Sequence, residues 1–263
     1  MSASPFTEAE LPPHVAMALW RGHALGRHDA PVWSSGYVDL DALLPGGGWP
    51  GQSLTEILQA PAMHAEWRLL SPALRICVAQ GQVIMLINPP YEPHAVGLRQ
   101  AGLAEQQWVC ISPPAESDVV WSTEQVLKAG AATAVLAWLP PHVQPAALRR
   151  LQSCAARHAG PIFLFRPEAT QAQPSAAPLR LTLSLDAQSQ DVQVCVFKRR
   201  GPAQLHAMTL LKAWPSHVHP LVSKALQRQV SAPVPTPSTR HDHVALDRPA
   251  AIRQLARPGV VQL

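Results

Sequence analysis

The chain has 263 residues, of which 47% are hydrophobic and 14% are charged. This length and this apolar content predict one medium-sized α/β domain with tails, and they exclude a charge-rich, coreless chain. The formal net charge of +4 permits contact with DNA or with an acidic partner but does not require it.

Four cysteines, Cys77, Cys110, Cys154 and Cys195, are widely spaced and form no CxxC pair, which argues against zinc and redox motifs. Each lies in or beside an apolar run, so we expect buried, reduced thiols. Residues 1–13 lack a signal-peptide pattern, and no apolar stretch is long enough to span a membrane. The sequence therefore predicts a cytoplasmic protein without a membrane partner.

The first third of the chain leads into the core. Residues 1–32 are predicted to form an N-terminal arm with an amphipathic helix over 11–28, which could contact another chain or pack onto its own domain. A short turn-helix follows over 36–44. The Gly- and Pro-rich run at 45–51 breaks it before a first core strand at 53–58.

From residue 66 onward, amphipathic helices alternate with short apolar strands. Helices are predicted over 66–80, 94–101, 117–128 and 145–158. Strands are predicted over 82–87, 108–111, 133–139 and 161–165. We expect Ser117 or Asp118 to cap the third of these helices and Gly130 to end it. The alternation predicts a doubly wound, mostly parallel sheet with right-handed crossovers.

The pattern changes after residue 178. Leu179–Leu185 and Val192–Phe197 alternate with period two and have no helix between them, which predicts an antiparallel hairpin at the edge of the sheet. Residues 205–211 are a candidate third strand. The core domain is thus predicted over 33–212, and the Pro-, Ser- and Thr-rich segment 213–263 is predicted to be a flexible, disordered tail.

The run GYVDLDALLPGGGWPGQSLTEIL, which starts at Gly36, resembles the entry to the core of RecA-type recombinases. In those proteins a turn-helix and a Gly-rich hairpin lead into the first strand, which ends in a phosphate-binding loop. Further segments, in order and at proper spacing, narrow the resemblance to the translesion DNA synthesis-associated ImuA family: RLLSPALR, INPPYEPHAVGLRQAGL, EQVLKAGAATAVLAWL, LRRLQ, LFRP and VFKRRG. The resemblance covers about residues 15–212 and implies a RecA-like fold.

A working P-loop has the pattern G-x-x-x-x-G-K-[ST], in which backbone N–H groups wrap the phosphates and Lys neutralises their charge. Alignment of the first strand places Gln59 and His64 at the two glycines, Ala65 at the lysine and Glu66 at the hydroxyl residue. Leu54–Leu74 contains neither Gly nor Lys, so no shift of the alignment restores the motif. The Glu66 carboxylate would also repel phosphate. The resemblance therefore implies a degenerate P-loop.

Two further catalytic positions lack their acids. Trp138 stands at the strand end where P-loop enzymes place the aspartate that organises Mg²⁺, and no acid stands in Asn88–Pro90, before Glu92. The chain also lacks the G-x-S-x-G and HExxH motifs. Two His-x-His pairs, at 217–219 and 241–243, could hold a metal but lie in the predicted tail. We expect a pseudo-ATPase without catalytic residues, cofactor or metal.

Basic residues follow the predicted hairpin and head one helix. Lys198, Arg199 and Arg200 come directly after a strand, and Arg149 and Arg150 lie in the helix predicted from residue 145. We predict that these side chains bind DNA phosphates or an acidic partner surface. The alternative is that they are a solvated turn and a solvated helix face.

The ImuA-like resemblance implies a non-catalytic accessory protein of SOS-induced translesion DNA synthesis. The implied partners are an inactive Y-family polymerase homologue and an error-prone replicative-type polymerase. RecA and DNA are further candidate contacts, and they would bring the protein to the nucleoid. Two alternatives stay open: a SulA-like inhibitor of cell division, whose chains are usually shorter, and a RecA-like ATP- and DNA-binding protein. The sequence does not indicate an oligomeric state.

Overall fold

The computed structural model describes residues 30–60, 63–79, 81, 83–200 and 207–210. The strands are β1 (Val32–Trp33), β2 (Trp49–Pro50), β3 (Leu54–Gln59), β4 (Val83–Ile87), β5 (Trp108–Ile111), β6 (Ala132–Trp138), β7 (Ile162–Pro167), β8 (Leu179–Leu185), β9 (Val192–Lys198) and β10 (Met208–Leu210). The α-helices are α1 (Val38–Leu43), α2 (Glu66–Val78), α3 (Ala95–Gln100), α4 (Glu116–Ala129) and α5 (Pro145–Ala155). Two short 3₁₀ turns cover Glu105–Gln107 and Glu168–Thr170.

Eight strands form one large mixed sheet in the order β10-β9-β8-β3-β7-β6-β4-β5. The six strands from β8 to β5 in this order are parallel to their neighbours, and β9 and β10 continue the sheet in antiparallel pairing. β1 and β2 form a separate two-stranded antiparallel sheet. The prediction of a mostly parallel α/β sheet with an antiparallel hairpin is confirmed.

Helices cover both faces of the sheet because the strands at its centre are apolar on both sides. Every residue of β3 and β6 is buried. On one face α1, α2 and α3 pack against the sheet, for example through Leu40, Leu70 and Leu98. On the other face α4 and α5 pack through residues such as Leu127 and Leu151. The buried residues of α2 recur at three- and four-residue spacing, which is the helical period that the sequence shows.

The start of α4 differs from the prediction. Its N-cap is Ala115, in extended conformation and without a side-chain cap, so the expectation that Ser117 or Asp118 caps the helix is wrong. Both residues lie in the first helical turn, where the carboxylates of Glu116 and Asp118 are favoured by the helix dipole. Gly130 ends the helix in the left-handed conformation, as predicted.

The expectation of four buried cysteines is also wrong. None of the four cysteines forms a disulfide, but only Cys77 is buried, whereas Cys110 is exposed and Cys154 and Cys195 are partly exposed. Cys110 is exposed because β5 is the edge strand of the sheet. Burial raises the pKa of the Cys77 thiol to about 12, so this thiol stays protonated and unreactive.

Several predictions fall on residues outside the described ranges. These are the arm helix over 11–28, both His-x-His pairs and the tail over 213–263. The candidate third strand over 205–211 is confirmed in its described part, as β10. Within the described part of the chain, no helix has the length and apolar character needed to cross a membrane.

Candidate binding cleft at the carboxyl ends of the parallel strands

A cleft opens where β3, β4, β6 and β7 end. Because these strands are parallel, their carboxyl ends meet at one edge of the sheet. The chain leaves β3 and β4 toward helices on one face and leaves β6 toward a helix on the other face, and this divergence opens a crevice between the strand ends.

The cleft consists of two adjacent cavities of about 560 Å³ and 140 Å³. His64, Pro90 and Trp138 line both of them. The larger cavity runs along α2 toward α3 and has mostly apolar and aromatic walls, which include Tyr37, Trp67, Pro72, Pro89, Tyr91 and Pro93. Cavities of this size and lining are typical of sites that bind small molecules or peptide side chains.

Three of the four predicted degenerate P-loop residues line this cleft: His64 lines both cavities, Gln59 the smaller one and Glu66 the larger one. Gln59 ends β3, Ala65 is the N-cap of α2 without a side-chain cap, and Glu66 is the first residue of α2. The side chain of Glu66 is almost completely buried, with 2% exposure. Its carboxylate accepts a hydrogen bond from its own backbone N–H and one from Gln59 Nε2 at 3.3 Å, and His64 Nδ1 lies 3.9 Å away.

The Glu66 carboxylate therefore lies at the positive end of the α2 dipole, where a P-loop protein binds phosphate. Burial raises the pKa of this carboxyl above its ordinary value, and the contacts to the backbone, Gln59 and His64 offset this only in part. A carboxylate at this position excludes a second anion by repulsion and by volume.

Trp138 closes the cleft at the end of β6. Its ring stacks on Phe165 of β7, with ring centroids 4.7 Å apart and an interplanar angle of 18°. Asn88 has a left-handed backbone with φ of 53° and donates from Nδ2 to the Trp138 carbonyl at 3.0 Å, which ties the ends of β4 and β6 together. The indole thus fills the position predicted for a lost metal-organising aspartate.

Two buried polar atoms in the cleft have no hydrogen-bond partner among the described residues: Trp138 Nε1, a donor, and Gln59 Oε1, an acceptor. The side chains that carry them are 8% and 7% exposed. An unpaired buried polar atom costs about 1–3 kcal/mol, so a molecule that offers an acceptor to Trp138 and a donor to Gln59 would be stabilised here.

The rim of the cleft carries charges that are held in place. Arg68 donates to the Gln190 carbonyl at 2.8 Å, and Arg75 donates to the Ala101 carbonyl at 3.2 Å. Tyr91 is exposed and its ring lies edge-on to that of His64, with centroids 4.8 Å apart. Glu92 is exposed on the same rim.

Helix α2, which forms one wall of the cleft, contains a proline, and a hydrogen bond from outside the helix replaces the one that the proline removes. Pro72 has no N–H, so the Arg68 carbonyl one turn earlier lacks its usual intrahelical donor. The Tyr37 hydroxyl donates to this carbonyl at 2.7 Å. The segment that carries Tyr37 approaches closely because Gly36, with φ of 83°, has no Cβ to collide with the Pro72 ring.

A second cluster of buried charges lies within the sheet and borders the smaller cavity of the cleft through Arg166. Glu56 of β3 is completely buried and binds Arg166 of β7 and Arg180 of β8, each at 2.7 Å. Backbone carbonyls of the turn after β7, including that of Thr170, accept further hydrogen bonds from Arg180. Sequence analysis missed this cluster, although charges of opposite sign inside apolar strands were a usable signal.

The structure separates the predicted basic residues into two groups. Lys198 Nζ donates to the Ser175 carbonyl at 2.8 Å, and Arg199 donates to the Leu43 carbonyl at the end of α1. Burial lowers the pKa of Lys198, and the Arg180 charge lowers it further, while burial lowers that of Arg199. Arg200 is exposed. Lys198 and Arg199 therefore have internal roles that the sequence did not predict.

Arg149 and Arg150 are exposed on α5. Arg150 lies 3.5 Å from Glu124 of α4, which also binds Lys128 at 2.6 Å. Because α5 packs on the face of the sheet opposite α1, these two arginines do not form one patch with Arg199.

No protein-family model matches the chain, and no curated protein matches it. Within the described residues, no group of three or more His, Cys, Asp or Glu side chains is placed to hold a metal ion.

Proposed function

We propose that the chain is a RecA-like, non-catalytic accessory protein of SOS-induced translesion DNA synthesis that binds an error-prone polymerase complex. The observation that carries the proposal is the buried Glu66 carboxylate at the N-terminus of α2, the position at which a P-loop protein would bind its nucleotide.

Three further features support the proposal. The parallel core continues into antiparallel strands at one edge, which is also the RecA-like arrangement. Trp138 fills the strand end where Mg²⁺ would be organised. The sequence segments that resemble the ImuA family fall on strands of the sheet and on helices of both its faces. In such a protein the fold is kept for binding rather than for hydrolysis.

Co-purification tests the partner. The full chain, tagged and expressed in bacterial cells after DNA damage, is expected to recover the damage-inducible polymerase homologue and the error-prone polymerase. Recovery of the cell-division protein instead would contradict the proposal and support the SulA-like alternative. Recovery of neither, with the polymerases present in the lysate, would also contradict it.

A further inference from the structure

Glu66 is a buried carboxylate without a matching cation. No described Arg or Lys lies within ion-pair distance of its carboxylate, and its only charged or chargeable neighbour is His64 at 3.9 Å. Glu56 shows how the same chain stabilises a buried carboxylate, with two guanidinium groups at 2.7 Å. Fully buried acids are rare unless they are paired, so the cation that Glu66 lacks is expected to come from outside the chain.

The atoms around Glu66 are suited to a guanidinium group. Glu66 lines the larger cavity and Gln59, whose Oε1 is unpaired, lines the smaller one. Because Gln59 Nε2 lies 3.3 Å from Glu66 Oε2, the two acceptor groups are close together. The walls carry flat rings, among them Trp67, Tyr91 and Trp138. A guanidinium is planar, has five N–H donors and stacks on aromatic rings, whereas an ammonium has the charge and three donors but no planar group that stacks.

Other occupants fit less well. Water could satisfy Gln59 Oε1 and Trp138 Nε1, but it would leave the carboxylate without a counter-charge. A phosphate would lie against the Glu66 carboxylate. Arg68 and Arg75 also line the larger cavity, but each donates to a backbone carbonyl and neither lies within ion-pair distance of Glu66. Arg166 lines the smaller cavity, where Glu56 neutralises its charge.

We propose that this cleft binds an arginine side chain of a partner polypeptide, whose guanidinium donates to the Glu66 carboxylate and to Gln59 Oε1. The Trp138 indole N–H then donates to a backbone carbonyl next to that arginine. The inference rests on the proposed function only in taking a polypeptide as the source of the cation. The site itself does not depend on which protein supplies it.

Saturation-transfer difference NMR with acetyl-Gly-Arg-Gly-amide and the full chain tests the site. We expect saturable binding of the arginine peptide and binding at least about tenfold weaker for the same peptide with citrulline, which has the same shape but no charge. Equal binding of both peptides would overturn the proposal. Binding of free L-arginine as tight as that of the peptide would assign the site to a small molecule and would overturn the docking role.

Two variants assign the effect to the buried carboxylate. Glu66→Gln is expected to weaken binding of the arginine peptide at least about tenfold, whereas Glu92→Gln, on the exposed rim, changes it less than about twofold. Equal losses in both variants would indicate general attraction of charge and would overturn the proposal. If Glu66→Gln does not fold, the comparison of arginine with citrulline in the wild-type chain decides alone. A failed co-purification would leave these peptide results unchanged, so the two proposals fail separately.

Discussion

A buried glutamate in the middle of the sheet and a buried glutamate at its carboxyl edge differ in whether the chain supplies a counter-charge. In the middle, Glu56 is held by Arg166 and Arg180, and Nη2 of Arg166 and Nη1 of Arg180 also reach an amide and a carbonyl oxygen nearby. At the edge, Glu66 has Gln59, a distant His64 and unpaired polar atoms around it. The first arrangement is self-contained, and the second is complete only with another molecule.

This difference separates structural from functional burial of charge. A buried carboxylate that has its counter-charges within the chain can fix the register of neighbouring strands without offering a site. A buried charge that lacks its counter-charge lowers the stability of the free protein, and such groups concentrate where ligands bind. The stability of variants therefore tests the comparison.

The largest effect is expected at the middle of the sheet. Glu56→Gln removes the charge that holds two buried guanidinium groups, so the free energy of unfolding should fall by about 3–5 kcal/mol. Urea unfolding followed by circular dichroism measures it. Glu124→Gln, which breaks an ion pair with Lys128 at the surface, is the matched control and should cost much less. Equal losses at the two positions would remove the contrast.

Glu66→Gln should not lower the free energy of unfolding at neutral pH and should raise it slightly, because it removes an unpaired buried charge and keeps the contact to Gln59. The pH dependence of the free energy of unfolding shows whether the ionised carboxylate stabilises or destabilises the folded state. Because the pKa of the folded carboxyl is raised, the folded state binds more protons than the unfolded state between the ordinary value and the raised value. The wild-type chain therefore loses stability relative to Glu66→Gln as pH rises through this window.

Below that window Glu66 is protonated in both the folded and the unfolded state, so the wild-type chain and Glu66→Gln should have the same stability. Urea unfolding of both at a series of pH values gives the difference, in which other titrating groups cancel. The measured quantity is the stability of Glu66→Gln minus that of wild type. If this difference is lower at pH 7 than at pH 4, the carboxylate is stabilising, which would contradict the comparison.

Arg199 and Arg200 follow β9 and allow the same kind of comparison, between a side chain with an internal contact and an exposed one, with smaller expected effects. Arg199→Ala removes a partly buried hydrogen bond to the Leu43 carbonyl and should lower the free energy of unfolding by about 1–2 kcal/mol. Arg200→Ala should leave stability unchanged, since Arg200 is exposed.

DNA affinity measured at several salt concentrations tests the predicted nucleic-acid role. If Arg200→Glu leaves that affinity unchanged, Arg200 does not bind DNA.

The smallest effect concerns the wall of the cleft. Tyr37→Phe removes the donor to the Arg68 carbonyl and should cost about 1 kcal/mol. In a Pro72→Ala background the helix supplies its own donor to that carbonyl, so Tyr37→Phe should cost less. A double-mutant cycle measured by urea unfolding compares the two costs. Equal costs in both backgrounds would show that the hydroxyl does not compensate for the proline.

Much of the fold follows from local patterns, because period two and period 3.6 in hydrophobicity are properties of short segments. The burial of Glu66 and the stacking of Trp138 on Phe165 do not, because they depend on which strand ends meet. The inward contact of Lys198 likewise depends on a register irregularity between β8 and β9 near Arg180, which no sequence period encodes. The alignment predicts that Glu66 stands at the P-loop position, but the burial of its carboxylate could not be predicted from the sequence.

Titration of the full chain with Mg²⁺-ATP tests most directly whether the carboxyl edge lacks phosphate chemistry. The Glu66 carboxylate at the start of α2 and the indole of Trp138 at the end of β6 predict no saturable ATP binding and no turnover. Isothermal titration calorimetry and a phosphate-release assay measure both. Saturable binding with Mg²⁺-dependent turnover, lost in Glu66→Ala or Trp138→Ala, would contradict the account.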